Sequence, residues 1–271
     1  MSERIAFIGG GNMASAIIGG LIKQGFPPDH FEVVEPFADA RQVLRDKFYI
    51  TAHEHPGAFL AGVDMVVWAV KPQTFKEAAL QVRSHTRHAL HLSVAAGIPS
   101  TSIANWLGSD RVVRSMPNTP ALIGQGITGL FASPGVSTVD RIWVERVVAT
   151  MGQHLWLERE EQLDAVTALS ASGPAYVFYF LEAMIAAGTE MGLSHEQAYK
   201  LALETFRGAT ALALASSEPP EILRQRVTSK GGTTHAAITA METSQVKHLF
   251  VQALHAAERR ARELGEEFGR D

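Results

Sequence analysis

Residues 5–14 read IAFIGGGNMA. A short apolar run enters three glycines, and the residues that follow, 12–24, carry the spacing of an amphipathic helix. The stretch fits G-x-G-x-x-A at Gly9, Gly11 and Ala14. Strand, glycine turn and helix in that order form the context of a dinucleotide fingerprint. Gly9 permits the tight turn, Gly11 lets backbone approach a pyrophosphate, and Ala14 lets the helix sit close on the strand. Asn12 reads as the helix cap. The N–H groups at the helix start, around Asn12 and Met13, then face the phosphate charge.

Working outward, Glu35 ends the second apolar run, 21 residues after Ala14 (35 − 14). An acid at that offset accepts hydrogen bonds from a ribose 2′-OH. Its charge repels a 2′-phosphate and so leans toward NADH over NADPH. Arg41, on the next helix, either reaches that phosphate or lies on a solvated face.

The alternation continues to about residue 158. Further strands are expected at 31–35, 65–70, 90–95, 112–115, 129–132 and 154–157, with helices at 38–47 and 138–151 between some of them. This argues for an α/β domain, a Rossmann-like doubly wound parallel sheet, over residues 1–158. Residues 159–271 differ. Alanine- and leucine-rich helical patterns dominate at 175–191, 195–215, 233–243 and 245–268, and β-branched runs nearly vanish. A helical half this apolar points to a subunit interface, with an ordinary bundle core as the alternative.

Three more loops should gather beyond the carboxyl ends of the strands. In Ala69-Val70-Lys71-Pro72 a buried strand ends in a cation, which either faces the cofactor or is solvated, and Pro72 opens a helix. Ala95-Ala96-Gly97 is small enough for a flat ring to lie against backbone. Met116-Pro117-Asn118-Thr119-Pro120 is a rigid polar loop that suits the nicotinamide side, through Asn118. In the helical half, Thr228-Ser229-Lys230-Gly231-Gly232-Thr233-Thr234 leads into a helix whose first N–H groups suit a carboxylate. The alternative there is a glycine break with a Ser/Thr cap. Ser170-Ala171-Ser172-Gly173-Pro174-Ala175 opens another long helix.

Composition narrows the function classes. Hydrophobic residues make up 46% and charged residues 19%, which suits a globular chain. A net charge of −4 without a basic block speaks against a nucleic-acid surface. The absence of cysteine excludes disulfides and thiolate metal sites. No apolar run approaches the roughly 18 residues of a membrane span, and the opening MSERIAFIGGG is too short in apolar residues for a signal sequence, so a cytoplasmic location is expected. His53 and His55 flank Glu54, and His85, His88 and His91 recur every third residue. These read as solvated surface, and no metal site is expected.

IGGGNMA at 8–14, VKP at 70–72, VAAGI at 94–98, MPNTPAL at 116–122, SGPAY at 172–176 and GGTT at 231–234 together resemble pyrroline-5-carboxylate reductases, in order and over nearly the whole chain. The resemblance implies a dinucleotide-binding domain followed by an all-helical substrate-binding and dimerisation domain, with homodimers that in many members form decamers. It implies reduction of 1-pyrroline-5-carboxylate to L-proline by hydride transfer from NADPH or NADH, the last step of proline synthesis. Thr234 matches the threonine that contacts substrate and is the expected catalytic residue, its hydroxyl on the ring nitrogen. Ser229, with backbone of Gly231, Gly232 and Thr233, would hold the carboxylate. The cofactor set is Gly9, Gly11, Asn12, Met13, Glu35, Ala69, Val70, Lys71, Pro72, Ala96, Gly97 and Asn118. Lys230 stands where the family usually has proline, and it either loosens the loop or adds positive charge. A β-hydroxyacid dehydrogenase is disfavoured, since residues 160–271 hold Lys200, Lys230 and Lys247 but no asparagine to accompany a catalytic lysine. A nucleotide sensor without catalysis is the remaining rival.

Overall fold

The computed structural model describes residues 3–269; the outermost two residues at each end lie outside the described residues. Seven strands form one sheet in the order β2-β1-β3-β4-β5-β6-β7. They are β1 (Ile5–Ile8), β2 (Phe31–Val34), β3 (Met65–Trp68), β4 (Leu90–Ser93), β5 (Val112–Met116), β6 (Gly126–Ala132) and β7 (Gly152–Trp156). Helices α1 (Asn12–Lys23), α2 (Ala38–Phe48), α3 (Pro72–Thr86), α4 (Ser100–Leu107) and α5 (Thr138–Val148) lie between them.

The strands are apolar on both faces because helices cover both. Phe7, Val33, Val67 and Leu92 pack with Ile17 and Ile18 of α1, Leu44 of α2 and Val144 of α5. Their neighbours Ala6, Val34, Val66 and Trp68 point the other way and pack with Phe75 and Val82 of α3 and Ile103 and Trp106 of α4. This is the doubly wound arrangement expected of fully buried strands.

The sheet is not wholly parallel. β6 runs antiparallel to β5, and β7 is parallel to β6. The reason is length: residues 117–125, which join β5 to β6, hold only a 3-10 turn at Thr119–Ile123, whereas a parallel crossover takes about a dozen residues or more. The chain therefore doubles back, and α5 restores a parallel step to β7.

His91 departs from the expectation of solvated surface. It lies in β4 and is fully buried. Its Nδ1 accepts a hydrogen bond from Trp68 Nε1 at 3.2 Å, and its Nε2 has no partner. Burial lowers its pKa from 6.5 to about 4. Unfolded chain therefore binds a proton between those values that the folded chain refuses. Stability from this residue is whole above pH 6.5 and falls as pH drops toward 4, by about 3 kcal/mol. Urea unfolding across that window should show a shallower loss in His91→Leu than in the parent; matching slopes would contradict this.

By its contacts the chain forms two compact units, one made of residues 1–172 with 257–271 and the other of 173–256. Residues 159–172 stay with the sheet through named bonds. Glu160 accepts from the Ser100 N–H at 2.6 Å and from Arg114 Nη1 at 2.7 Å. Gly129 of β6 lies close against Val166 of the short helix α6 (Gln162–Val166). The second unit holds α7 (Gly173–Glu190), α8 (His195–Ala215), α9 (Pro220–Arg226), α10 (Thr233–Thr243) and the start of α11 (Val246–Phe268). Among the described residues no helix is long and apolar enough to cross a membrane.

Candidate active site

In the first unit the strand register does the assembling. Ile8 pairs with Val34 on one side and Trp68 on the other. Gly9, Glu35 and Ala69 therefore emerge side by side at the carboxyl edge, where the strand order reverses about β1, the position at which open α/β sheets bind ligands. Gly9 takes φ +94°, and a Cβ there would lie 2.6 Å from the Ala69 carbonyl oxygen, so glycine is required. Gly11 is different: a Cβ would meet nothing within 4 Å. That open space lies at the mouth of α1.

Gly11, not Asn12, is the N-cap of α1, and no side chain caps the helix. Asn12 begins the first turn instead, exposed, with Met13 partly buried beside it. The first N–H groups of α1 therefore lack a side-chain acceptor and face the open space over Gly11, an arrangement that suits a diphosphate.

Glu35 is turned inward, a direction the sequence does not show. It is 5% exposed, and its two carboxylate oxygens accept from the Gly10 N–H at 2.8 Å and the Phe37 N–H at 2.9 Å. It clamps the glycine turn to the loop after β2. The offset of 21 residues located the strand end but said nothing about which way the side chain turns. Arg41 is committed as well: Nη1 donates to the carbonyls of Glu35 and Pro36, and Nη2 to Glu54. Glu54 was legible only as part of a histidine-flanked segment.

The other three loops divide. Lys71 is the N-cap residue of α3 and is exposed, Pro72 opens that helix, and Ala69 and Val70 are half-buried before them. Gly97, at φ +78°, lies against Leu264 and Gly265 near the end of α11. Those contacts are of ordinary van der Waals length, so it is the positive φ that favours glycine here; Ala96 beside it is half-buried. The Asn118 amide is also engaged, accepting from the Ile127 N–H at 3.0 Å and donating to Ser170 Oγ at 3.3 Å. It fastens the loop to β6 and to the turn before α7, and no spacing in the sequence signals those partners.

In the second unit, α10 begins at Thr233 with Gly232 as N-cap and no side-chain cap. The Ser/Thr cap weighed from the sequence is not what closes this helix. Gly231 takes φ +78°, which glycine adopts without strain. The Gly232 N–H donates to the Ser229 carbonyl at 3.0 Å, folding the loop back on itself. Thr228 spends its hydroxyl on the Arg224 carbonyl. Those of Ser229, Thr233 and Thr234 make no hydrogen bond among the described residues. Three free hydroxyls and an uncapped helix start thus collect in one loop. The helices of this unit also carry Phe178, Tyr179, Leu201 and Leu214 exposed, Leu214 by 87%. So much exposed apolar side chain marks an association surface.

Comparison with known proteins agrees with both units. Residues 160–264 match the model described as "Pyrroline-5-carboxylate reductase dimerisation", and residues 4–97 match "NADP oxidoreductase coenzyme F420-dependent". A pyrroline-5-carboxylate reductase of Pseudomonas aeruginosa is 45% identical over 270 residues, covering 99% of each chain. The chain belongs to the pyrroline-5-carboxylate reductase family. Among solved members, the Coxiella burnetii reductase superposes with a TM-score of 0.89 at 37% identity, over 97% of this chain and 99% of that one. The Plasmodium falciparum enzyme, solved with NADP bound, gives 0.86 at 26% identity, over 97% and 98%. As in the family model, the helical part of this reductase is the part that associates with other copies.

Proposed function

We propose that the chain reduces 1-pyrroline-5-carboxylate to L-proline with NADPH or NADH, the last step of proline biosynthesis. The whole-length match to the reductase family carries this reading. Residues 1–158 act as the dinucleotide-binding domain and 159–271 as the substrate-binding and dimerisation domain. The open space over Gly11 and the uncapped start of α1 fit a diphosphate. Bound there, NAD(P)H supplies a hydride from C4 of its nicotinamide to the imine carbon. Lys71, exposed at the same sheet edge, adds a cation for the phosphates or ribose. Glu35 and Asn118 contribute by holding the loops in place.

The substrate enters as a protonated cyclic iminium, already electrophilic, so no strong general base is needed. As hydride adds to carbon, the π electrons of the C=N bond settle on nitrogen and give the secondary amine. Thr234 hydrogen-bonds the ring nitrogen. Ser229 and the N–H groups of Gly231 to Thr233 take the carboxylate, which suits a helix start with free donors. The protein's share of the rate is positioning and exclusion of water. The enzyme works in the cytoplasm as a homodimer, and further association of dimers gives a decamer.

The experiment is an initial-rate assay with pyrroline-5-carboxylate and each reduced cofactor, with proline measured. Cofactor oxidation matched by proline supports the reading. Tight cofactor binding without turnover would favour a nucleotide sensor.

A further inference from the structure

Both oxygens of Glu35 already accept backbone N–H groups in a buried position, which draws attention to the other charged groups at the end of β2. The segment after α2 supplies one. His53 pairs with Val34 as a parallel bridge, its N–H donating to the Val33 carbonyl at 2.7 Å and its carbonyl accepting from the Glu35 N–H at 2.8 Å. The His53 ring stacks on Phe59 with centroids 3.7 Å apart, and its Nε2 lies 3.2 Å from Glu32 Oε2. The backbone on the N-terminal side of Glu54 is thus fixed along β2. Its side chain stands at the strand end with 56% exposure, and Oε2 accepts from Arg41 Nη2 at 3.1 Å. Its other oxygen lies 3.7 Å from His55 Nε2.

Arg41 is oriented from the opposite direction. Nη1 is fixed by the carbonyls of Glu35, at 2.9 Å, and Pro36, at 2.7 Å. The guanidinium therefore offers its remaining donors along one direction, and a carboxylate fills it. A phosphate oxygen makes the same charge-assisted bond with more charge.

We infer that Arg41 and Glu54 set the choice between NADPH and NADH, with Glu54 competing for the guanidinium that a 2′-phosphate takes. The inference rests on the cofactor reading above. NADPH displaces the Glu54 carboxylate from Arg41, whereas NADH leaves the pair closed. Because Glu54 is exposed and Arg41 keeps its two carbonyl partners, opening the pair costs little, and the chain accepts both cofactors with a preference that Glu54 tunes.

Titration calorimetry on the full chain with NADP⁺ and NAD⁺, and with adenosine 2′,5′-bisphosphate against 5′-AMP, tests this. Glu54→Gln should raise the ratio of 2′-phosphorylated to unphosphorylated affinity about three- to tenfold, and Arg41→Gln should lower it by about tenfold. The ratio is the readout because loosening the loop lowers both affinities together. A ratio unmoved within about twofold in Glu54→Gln, or one that falls, overturns the inference. A parent protein that binds neither dinucleotide would instead overturn the cofactor reading itself, and the inference with it.

Discussion

Two alanines placed two residues apart in the glycine turn should give opposite phenotypes. Gly9→Ala puts a methyl 2.6 Å from the Ala69 carbonyl oxygen at a φ of +94°. Neither the β3 backbone nor the turn can move without disturbing the register that levels β1, β2 and β3. Destabilisation of about 2–4 kcal/mol is expected from strain and clash together, seen as a lower urea midpoint. Gly11→Ala puts its methyl into open space at an ordinary N-cap conformation, φ −71° and ψ −165°. Stability should fall by only about 0.5–1 kcal/mol, the preference of an N-cap for glycine over alanine, while NADPH affinity falls about 10- to 100-fold because the methyl occupies the path of the diphosphate. Normal cofactor affinity in a stable Gly11→Ala protein would remove the diphosphate from this turn.

The second large effect concerns the helical unit. Thr234 is half-buried in the first turn of α10, its hydroxyl without a partner among the described residues. Removing that hydroxyl breaks no bond of the fold, and alanine is the better helix former. Thr234→Ala should therefore fold normally yet lose one to two decades in kcat/KM, about 1.5–3 kcal/mol, as for a hydrogen bond to a charged group. Thr234→Ser should recover much of the loss. Kinetics like the parent's would take Thr234 out of the site.

What was legible before the structure follows from where each signal is local. Strands β1 to β5 lie where short, mainly apolar runs are bounded by glycine, proline or polar residues, because burial on both faces suits such a stretch; β7, an edge strand with no fully buried residue, was legible only from His154 onward. The first half of β6 escaped, since Gly126-Ile127-Thr128 reads as turn until the Asn118 side chain is seen receiving the Ile127 N–H. The reversal at β5–β6 was not legible for the same reason: with strands expected at 112–115 and 129–132 the connection is long enough for a crossover, and only the earlier start at Gly126 makes it short. Side-chain direction was not legible. The offset of Glu35 marks a strand end, yet only the structure shows the carboxylate turned inward onto Gly10. His91 looked like one member of a surface triplet because its burial depends on Trp68, a residue of the neighbouring strand. The Arg41–Glu54 pair arises from residues 51–55 folding back along β2, an event no local pattern announces. The loop 228–234 was the opposite case. Its glycines and hydroxyls are contiguous, so the glycine break before α10 is readable from the sequence.

The central claim is direct passage of hydride from the nicotinamide of the bound dinucleotide to the imine carbon of pyrroline-5-carboxylate. NADPH carrying deuterium on the transferred position at C4 tests it, with pyrroline-5-carboxylate as acceptor and the proline examined by NMR and mass spectrometry. The account predicts one deuterium per proline formed, all of it at C5, the former imine carbon. Deuterium washed out to solvent, or proline formed without label, would contradict it.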